Sequence, residues 1–217
     1  LASREDGTLA LLEDPLGETA WGPALTLPLL NDVSLSPEGD RFGASTRDHT
    51  VEIGTVQDGE LEVTATAEGF ESWVNDAAFL EDGRLAAVAS DHTLRLFTLE
   101  GEASDVQVLP SLPDALVEAD GALVTNTADG TITIWPDDTF LLPEERGRVF
   151  EVVADTHGRT AIGSLGSGDG RLQVDRLGED GTVVPLEVPE ATDETRNALA
   201  VTREGRFVAC GGSESLN

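Results

Sequence analysis

The apolar positions of this chain repeat in a fixed order. A short apolar run leads into a turn with a small or acidic residue before glycine, and a second run of small apolar residues follows. An acidic turn then opens a segment in which apolar and polar residues alternate, as in Val51-Glu52-Ile53. Because alternate side chains of a strand point to opposite faces, this period of two predicts β-strands and excludes helical repeats.

The acidic turns mark the period of the repeat. A degenerate sixth copy at Ser213 follows five turns that contain an aspartate, and neighbouring copies are 38 to 44 residues apart. We predict that the five aspartates are structural positions that open each third strand: Asp6, Asp48, Asp91, Asp129 and Asp169. Each period holds three clear strands and a less patterned fourth, such as 61–66 or 183–188. Four antiparallel strands in about 40 residues are typical of a propeller blade.

Three segments resemble WD40 repeats. Residues 89–97 and 127–135 are similar to the third-strand phrase of that family, and residues 36–42 resemble its strand-turn-strand phrase. The resemblance extends over nearly the whole chain. It implies a propeller in which the aspartate turns share one face with the loops that lead into the first strands.

The repeats depart from the family pattern at two points. An aromatic residue six positions after the aspartate remains only as Phe97 and Trp135, where other copies have Leu12, Gly54 or Asp175. The Gly-His pair that often opens a family repeat is absent from the sequence. The repeats are therefore divergent, and complete His-Ser-Asp-Trp networks are not expected.

The predicted fold is an all-β propeller of four-stranded antiparallel blades, with about five blades visible and residues 1–217 forming a single domain. The two ends supply parts of blades, so they either pair to close a five-bladed ring or belong to a longer protein with six or seven blades. The usual family number of seven favours the longer protein. The chain starts at Leu1 and contains no Met, so we expect its native N-terminus to be missing.

The charge limits the classes of partner. Asp and Glu total 42 against 13 basic residues, all of them Arg, which gives a formal net charge of −29. Such a surface repels nucleic acids and anionic lipids, and no apolar run approaches the roughly 18 residues of a membrane span. Two explanations remain, adaptation to high salt or a basic partner. The lysine-free, acid-rich composition resembles that of salt-adapted proteins and favours the first.

The sequence offers no catalytic residue, metal site or cofactor site. It lacks a Gly-x-Ser-x-Gly elbow, and its glycine-rich segment 163–170 has no lysine for phosphate binding. The three histidines (His49, His92 and His157) do not form a zinc pattern. Cys210 is predicted to be a small buried residue, which fits a reducing, cytoplasmic location.

These observations favour a non-catalytic interaction scaffold or sensor whose partner is another protein or another domain of a larger protein. The predicted partner-binding residues are Trp73, Arg148 and Arg196, on loops that lead into first strands. Alternatively, Trp73 packs between blades and the two arginines pair with nearby acids. A propeller hydrolase or lyase with carboxylates or a metal in an axial channel, and a structural cap within an oligomer, remain alternative functions.

Overall fold

The computed structural model describes residues 2–3, 7–12, 21–27, 29–119, 121–135, 138–141, 149–154, 160–165, 172–177, 182–186, 195–201 and 208–213. Strands joined by turns and loops make up these residues, and none of the described residues is helical. The chain forms two compact units, residues 1–108 and 109–217.

The first unit contains three antiparallel sheets, in which strands adjacent in sequence are adjacent in the sheet. The first sheet consists of β1 (Ala2–Ser3), β2 (Thr8–Leu12) and β3 (Trp21–Thr26). The second consists of β4 (Leu30–Leu35), β5 (Arg41–Thr46), β6 (Val51–Gln57) and β7 (Glu60–Ala67). The third consists of β8 (Val74–Phe79), β9 (Leu85–Ala89), β10 (Thr93–Phe97) and β11 (Ala103–Val108).

The second unit repeats this plan. One sheet contains β12 (Pro113–Ala119), β13 (Ala122–Thr127), β14 (Thr131–Trp135) and β15 (Asp138–Leu141). The next contains β16 (Val149–Ala154), β17 (Thr160–Leu165), β18 (Leu172–Leu177) and β19 (Val183–Leu186). The last described pair is β20 (Thr195–Val201) with β21 (Val208–Ser213).

Burial explains why the second and third strands are the most strongly patterned. In β6, Val51 and Ile53 are buried whereas Glu52 between them is half-buried, as alternation predicts. All five residues of β9 are buried, on both faces of the sheet, so this strand is made of leucine, valine and three alanines. Small side chains fit this crowded position, because protein interiors are close-packed.

The core of the first unit lies between its second and third sheets. Val51 and Ile53 of β6 belong to the same buried cluster as Val74 and Phe79 of β8 and Phe97 of β10. A corresponding cluster in the second unit joins β13, β14, β16 and β17. The sheets of each unit therefore stack face to face, as propeller blades do.

A β-bulge recurs at the same place in every first strand. The register against the second strand shifts at residues 30–32, 74–76, 113–116, 149–151 and 196–198. A bulge bends its strand and re-aims the neighbouring side chains. In β4 and β8, the residue directly after the shift is an aspartate, Asp32 or Asp76.

The prediction of an all-β propeller fold with four-stranded antiparallel blades is confirmed. The weakly patterned fourth strands expected at 61–66 and 183–188 occur as β7 and β19. One detail differs at the start of the chain, where we expected the last two strands of a blade. The short strand β1 pairs with β2 and makes that sheet three-stranded.

Candidate binding surface

Asp91 holds the turn between β9 and β10 to the loop that leads into β8. Its Oδ1 accepts hydrogen bonds from the backbone N–H (3.0 Å) and the hydroxyl (2.6 Å) of Thr93. Its Oδ2 accepts the backbone N–H of Glu71 at 2.8 Å. Because Glu71 lies two residues before Trp73, this carboxylate fixes the loop that carries the predicted anchor.

Asp129 occupies the corresponding turn between β13 and β14. Its Oδ1 accepts hydrogen bonds from the Thr127 hydroxyl (2.6 Å) and from the backbone N–H of Thr131 (3.1 Å). The turn is thus closed locally by the aspartate and two threonines.

Asp48 lies in the turn between β5 and β6, which a threonine stabilises. The Thr46 hydroxyl accepts the backbone N–H groups of Asp48 (3.2 Å) and Thr50 (3.3 Å), and it donates to the Thr50 carbonyl (3.0 Å). The other two predicted aspartates, Asp6 and Asp169, lie outside the described residues.

Hydrogen bonding keeps the carboxylates of Asp91 and Asp129 ionised. Burial alone would raise the pKa of Asp91, but hydrogen bonds from Thr93 and from the Glu71 N–H outweigh it and lower the pKa. For Asp129, the hydrogen bond from the Thr127 hydroxyl is the main cause of a lowered pKa. Both groups therefore act as anionic acceptors at neutral pH.

The residue after each aspartate has a left-handed backbone. Its φ is 82° at Gly7, 65° at His49, 65° at His92 and 85° at Gly130. Glycine adopts this conformation freely, whereas a residue with a Cβ is disfavoured there. The two exposed histidines thus share a turn position, which accounts for their repeat in the sequence.

A repeated backbone hydrogen bond joins each aspartate turn to the loop before the first strand. The N–H of the residue before the aspartate donates to the carbonyl of the residue before the first strand. The pairs are Arg47 to Leu29, Ser90 to Trp73 and Ala128 to Leu112, each at 2.8 Å. In each of these sheets, the aspartate turn and this loop lie at the same end.

Trp73 is largely exposed at this end of the third sheet. Its side chain keeps 52% of its surface accessible, and the Arg47 guanidinium lies 5.4 Å from the centroid of its ring. Leu29, at the equivalent position of the second sheet, is 56% exposed and has a φ of 57°. We call these three residues (Leu29, Arg47 and Trp73) the Trp73 patch.

Aromatic and cationic contacts stiffen the loop beneath the patch. The Arg95 guanidinium lies 5.2 Å from the centroid of the Phe70 ring, and the Phe70 and Phe97 rings are 5.5 Å apart. Arg95 also approaches the Asp91 carboxylate at 4.0 Å. Together with the bond from Glu71 to Asp91, these contacts hold both ends of the loop before β8.

Two asparagines connect the patch to the first strands. The Arg47 Nε donates to Asn31 Oδ1 at 3.4 Å, and Asn31 Nδ2 donates to the carbonyls of Val74 (3.0 Å) and Asn75 (3.3 Å). Arg47 therefore has partners in both sheets, through Asn31 in one and Trp73 in the other.

The structure places the three predicted partner-binding residues differently. Trp73 lies in the loop before β8, as the sequence indicates. Arg196 lies within β20, and not in the loop that precedes it, whereas Arg148 lies outside the described residues. Sequence reasoning missed Leu29 and Arg47, although each precedes a recognisable mark of the repeat, a first strand and a turn aspartate.

The described residues also limit other kinds of site. Within them, no group of three or more His, Cys, Asp or Glu side chains is arranged to hold a metal ion. In the same part of the chain, no helix has the length and apolar character that crossing a membrane requires.

A family model described as "WD domain, G-beta repeat" matches residues 61–98. Residues 61–98 are a WD40 repeat. The WD40 repeat starts in β7, the outermost strand of one sheet, and ends at β10, the third strand of the next. The sequence repeat is thus offset from the blade, and it links two neighbouring sheets covalently. It contains Trp73 and Asp91.

Comparison with solved structures supports the same fold. A functionally unknown protein from Desulfotomaculum acetoxidans DSM 771 is similar, with a TM-score of 0.75 and 13% sequence identity. The similarity covers 97% of this chain and 71% of that protein. In all, 1141 chains of solved structures match, so the fold is widespread and does not define a function by itself. No curated protein sequence matches the chain.

WD40 repeats generally mediate protein interactions. This general role agrees with the interaction function expected from the sequence, and the family is usually non-enzymatic. The identity of the partner and the residues that bind it are a separate question, which the Trp73 patch addresses.

Proposed function

We propose that this chain is a non-catalytic interaction module that binds another protein, or another domain of a larger protein, through the Trp73 patch. The observation that carries this proposal is the exposure of Trp73, which leaves about half of a large indole ring accessible to solvent. Tryptophan and arginine are the residue types most enriched among binding hot spots. Arg47 stacked on Trp73 combines the two.

The patch is also pre-organised for binding. The loop before β8 is held by the hydrogen bond from Glu71 to Asp91, and the Trp73 carbonyl accepts the Ser90 N–H. Arg47 is fixed through Asn31. Ordering of flexible groups is one of the main costs of association, so a rigid anchor binds more tightly than a mobile one.

Charge determines the partner class. The net charge of −29 makes association with nucleic acids or anionic lipids unfavourable and favours a protein partner whose rim is basic. Exposed apolar groups at the centre of the patch supply affinity, and the surrounding acids supply orientation. We place the module, residues 1–217, in the cytoplasm.

Replacing the indole tests this proposal. The Trp73→Ala variant is expected to lose at least tenfold in partner affinity, because hot-spot truncations cost about 2 kcal/mol or more. Proteins retained from the native host by the unaltered chain and by the variant are compared by quantitative mass spectrometry, and the affinity for each difference is then measured by calorimetry.

Val108→Ala is the matched control. Val108 is 76% exposed at the end of β11, so this variant also removes exposed apolar surface, but away from the patch. Both variants are expected to keep the melting temperature of the unaltered chain. Equal retention of partners by all three chains contradicts the proposal, and loss of folding in Trp73→Ala shows that the ring is structural.

A further inference from the structure

Two aspartates meet where the second and third sheets contact each other. Asp32 on β4 and Asp76 on β8 are joined by a hydrogen bond between their carboxyl groups. A carboxylate only accepts hydrogen bonds, so a bond between two carboxyl groups requires a proton on one of them. The arrangement therefore holds one proton between the two groups.

The backbone around both aspartates is fixed. Each follows the bulge of its first strand. The Asp32 N–H donates to the hydroxyl of buried Ser45 at 3.1 Å, and the Ala77 N–H donates to Asp76 Oδ1 at 2.7 Å. Since the bulges and these bonds set where the two side chains point, the carboxyl pair is part of the strand geometry.

Neutral groups form most of its surroundings. Asn31 donates to the Val74 and Asn75 carbonyls, and the Ser90 hydroxyl donates to Asn75 Oδ1 at 2.9 Å. From β5, Ser45 faces Asp32. Among the described residues, the charged group on the neighbouring turn is Arg47, whose Nε donates to Asn31. From β8, the titratable group that faces Asp32 is Asp76 itself.

This environment favours the protonated form. The Asp32 side chain retains a solvent-accessible surface, but protein atoms surround it on most sides. The resulting desolvation raises the pKa of Asp32, and the hydrogen bonds from Asp76 and from the Val33 backbone offset only part of this effect.

We propose that Asp32 and Asp76 share one proton and form a pH-dependent clamp between β4 and β8, the first strands of two neighbouring blades. While the proton is present, the carboxyl–carboxyl hydrogen bond holds the strands together. When it is lost, two adjacent carboxylates repel each other and weaken this contact. The clamp is independent of the proposed binding function.

Linkage gives the direction of the effect. In the unfolded chain Asp32 has its ordinary pKa of 3.8, whereas the folded chain retains the proton to higher pH. The folded state binds more protons across this window, so the free energy of unfolding falls as pH rises from 3.8 through the raised pKa. One proton changes the unfolding constant by up to about tenfold per pH unit.

Asp32→Asn tests the clamp, because its amide donates a hydrogen bond to Asp76 but does not titrate. Glu81→Gln, in the exposed turn after β8, is the control with the same change in charge. Urea unfolding of all three chains is followed from acidic to neutral pH. We expect the unaltered chain and Glu81→Gln to lose stability over the window, and Asp32→Asn to show a shallower slope.

Carbon-13 NMR of the carboxyl groups supplies a second measurement that does not depend on a variant that folds. In the unaltered chain, the Asp32–Asp76 pair is expected to titrate with one midpoint well above that of exposed aspartates. Two ordinary midpoints, or a pH slope in Asp32→Asn equal to that of the unaltered chain, overturns the proposal.

Discussion

Phe42 and Gly54 face each other across β5 and β6, and together they replace the missing aromatic residue of the third strand. Phe42 is fully buried, and a Cβ placed on Gly54 would overlap its ring and the Glu62 carbonyl oxygen. In the next sheet the large ring is on the other strand, where Phe97 pairs with Leu85. The blades thus fill the same space from opposite strands.

A methyl group at Gly54 is therefore expected to destabilise the fold. Gly54→Ala should lower the free energy of unfolding by about 1–3 kcal/mol, because the ring and the backbone of β7 must move to admit it. Denaturant unfolding measures the change.

The companion variants are Phe42→Leu alone and the double variant. If the clash with the ring is the cause, Phe42→Leu should recover part of the loss caused by Gly54→Ala, so the two effects are not additive. Unchanged stability in Gly54→Ala would refute this account of the packing.

Single positions differ in how far the sequence predicts them. The exposed anchor Trp73 follows from the position of its loop in the repeat. The left-handed residues His49 and His92 align with Gly7 and Gly130, so the alignment of the turns carries a usable signal for them. The exchange between Phe42 and Gly54 depends on the register of two strands, which hydrophobic periodicity does not specify.

At the scale of elements, buried amides connect one blade to the next. Asn126 of β13 is fully buried; its Oδ1 accepts the Ala115 N–H at 3.1 Å and its Nδ2 donates to the Val149 carbonyl at 3.3 Å. It joins β12, β13 and β16. In the first unit, Asn31 makes the corresponding bond to Val74, again at the residue before a bulge.

Asn126→Ala is expected to lower the free energy of unfolding by about 2–3 kcal/mol, because it leaves a buried N–H and a buried carbonyl without their partner. Thermal and urea unfolding provide the measurement. Gln57→Ala removes an exposed amide at the end of β6 and should change stability little. Equal effects of the two variants would show that the amide of Asn126 does not couple the blades.

The sequence predicts elements best where the signal is local. The third strands β6, β10 and β14 follow from alternation after an aspartate turn. By contrast, every residue of β11 is exposed or half-buried, so no face of it is consistently apolar and its pattern is weak. Contacts between sheets, such as the Asp32–Asp76 pair, join residues from different repeats and have no local signature.

For the whole molecule, the acid content is the dominant electrostatic feature. With 42 acidic and 13 basic residues, most carboxylates have no arginine available to neutralise them. Their mutual repulsion opposes the compact state. Salt shortens the range of this repulsion from about 10 Å at 0.1 M to about 3 Å at 1 M.

Stability should therefore rise with salt. The melting temperature is expected to increase markedly between dilute buffer and molar sodium chloride, because screening removes self-repulsion that is stronger in the folded state. Chloride is the informative salt, since sulfate stabilises proteins generally by exclusion from their surface. A flat response would favour a basic partner as the reason for the acidity.

The central claim is that the Trp73 patch is where this module binds its partner. Hydrogen exchange of the free and the partner-bound chain tests it most directly, since exchange reports on each backbone amide. The account predicts slower exchange on binding at residues 29–31, 47–49 and 71–75, with no change in β11. Protection confined to β11 or to other regions, with the patch unchanged, would contradict it.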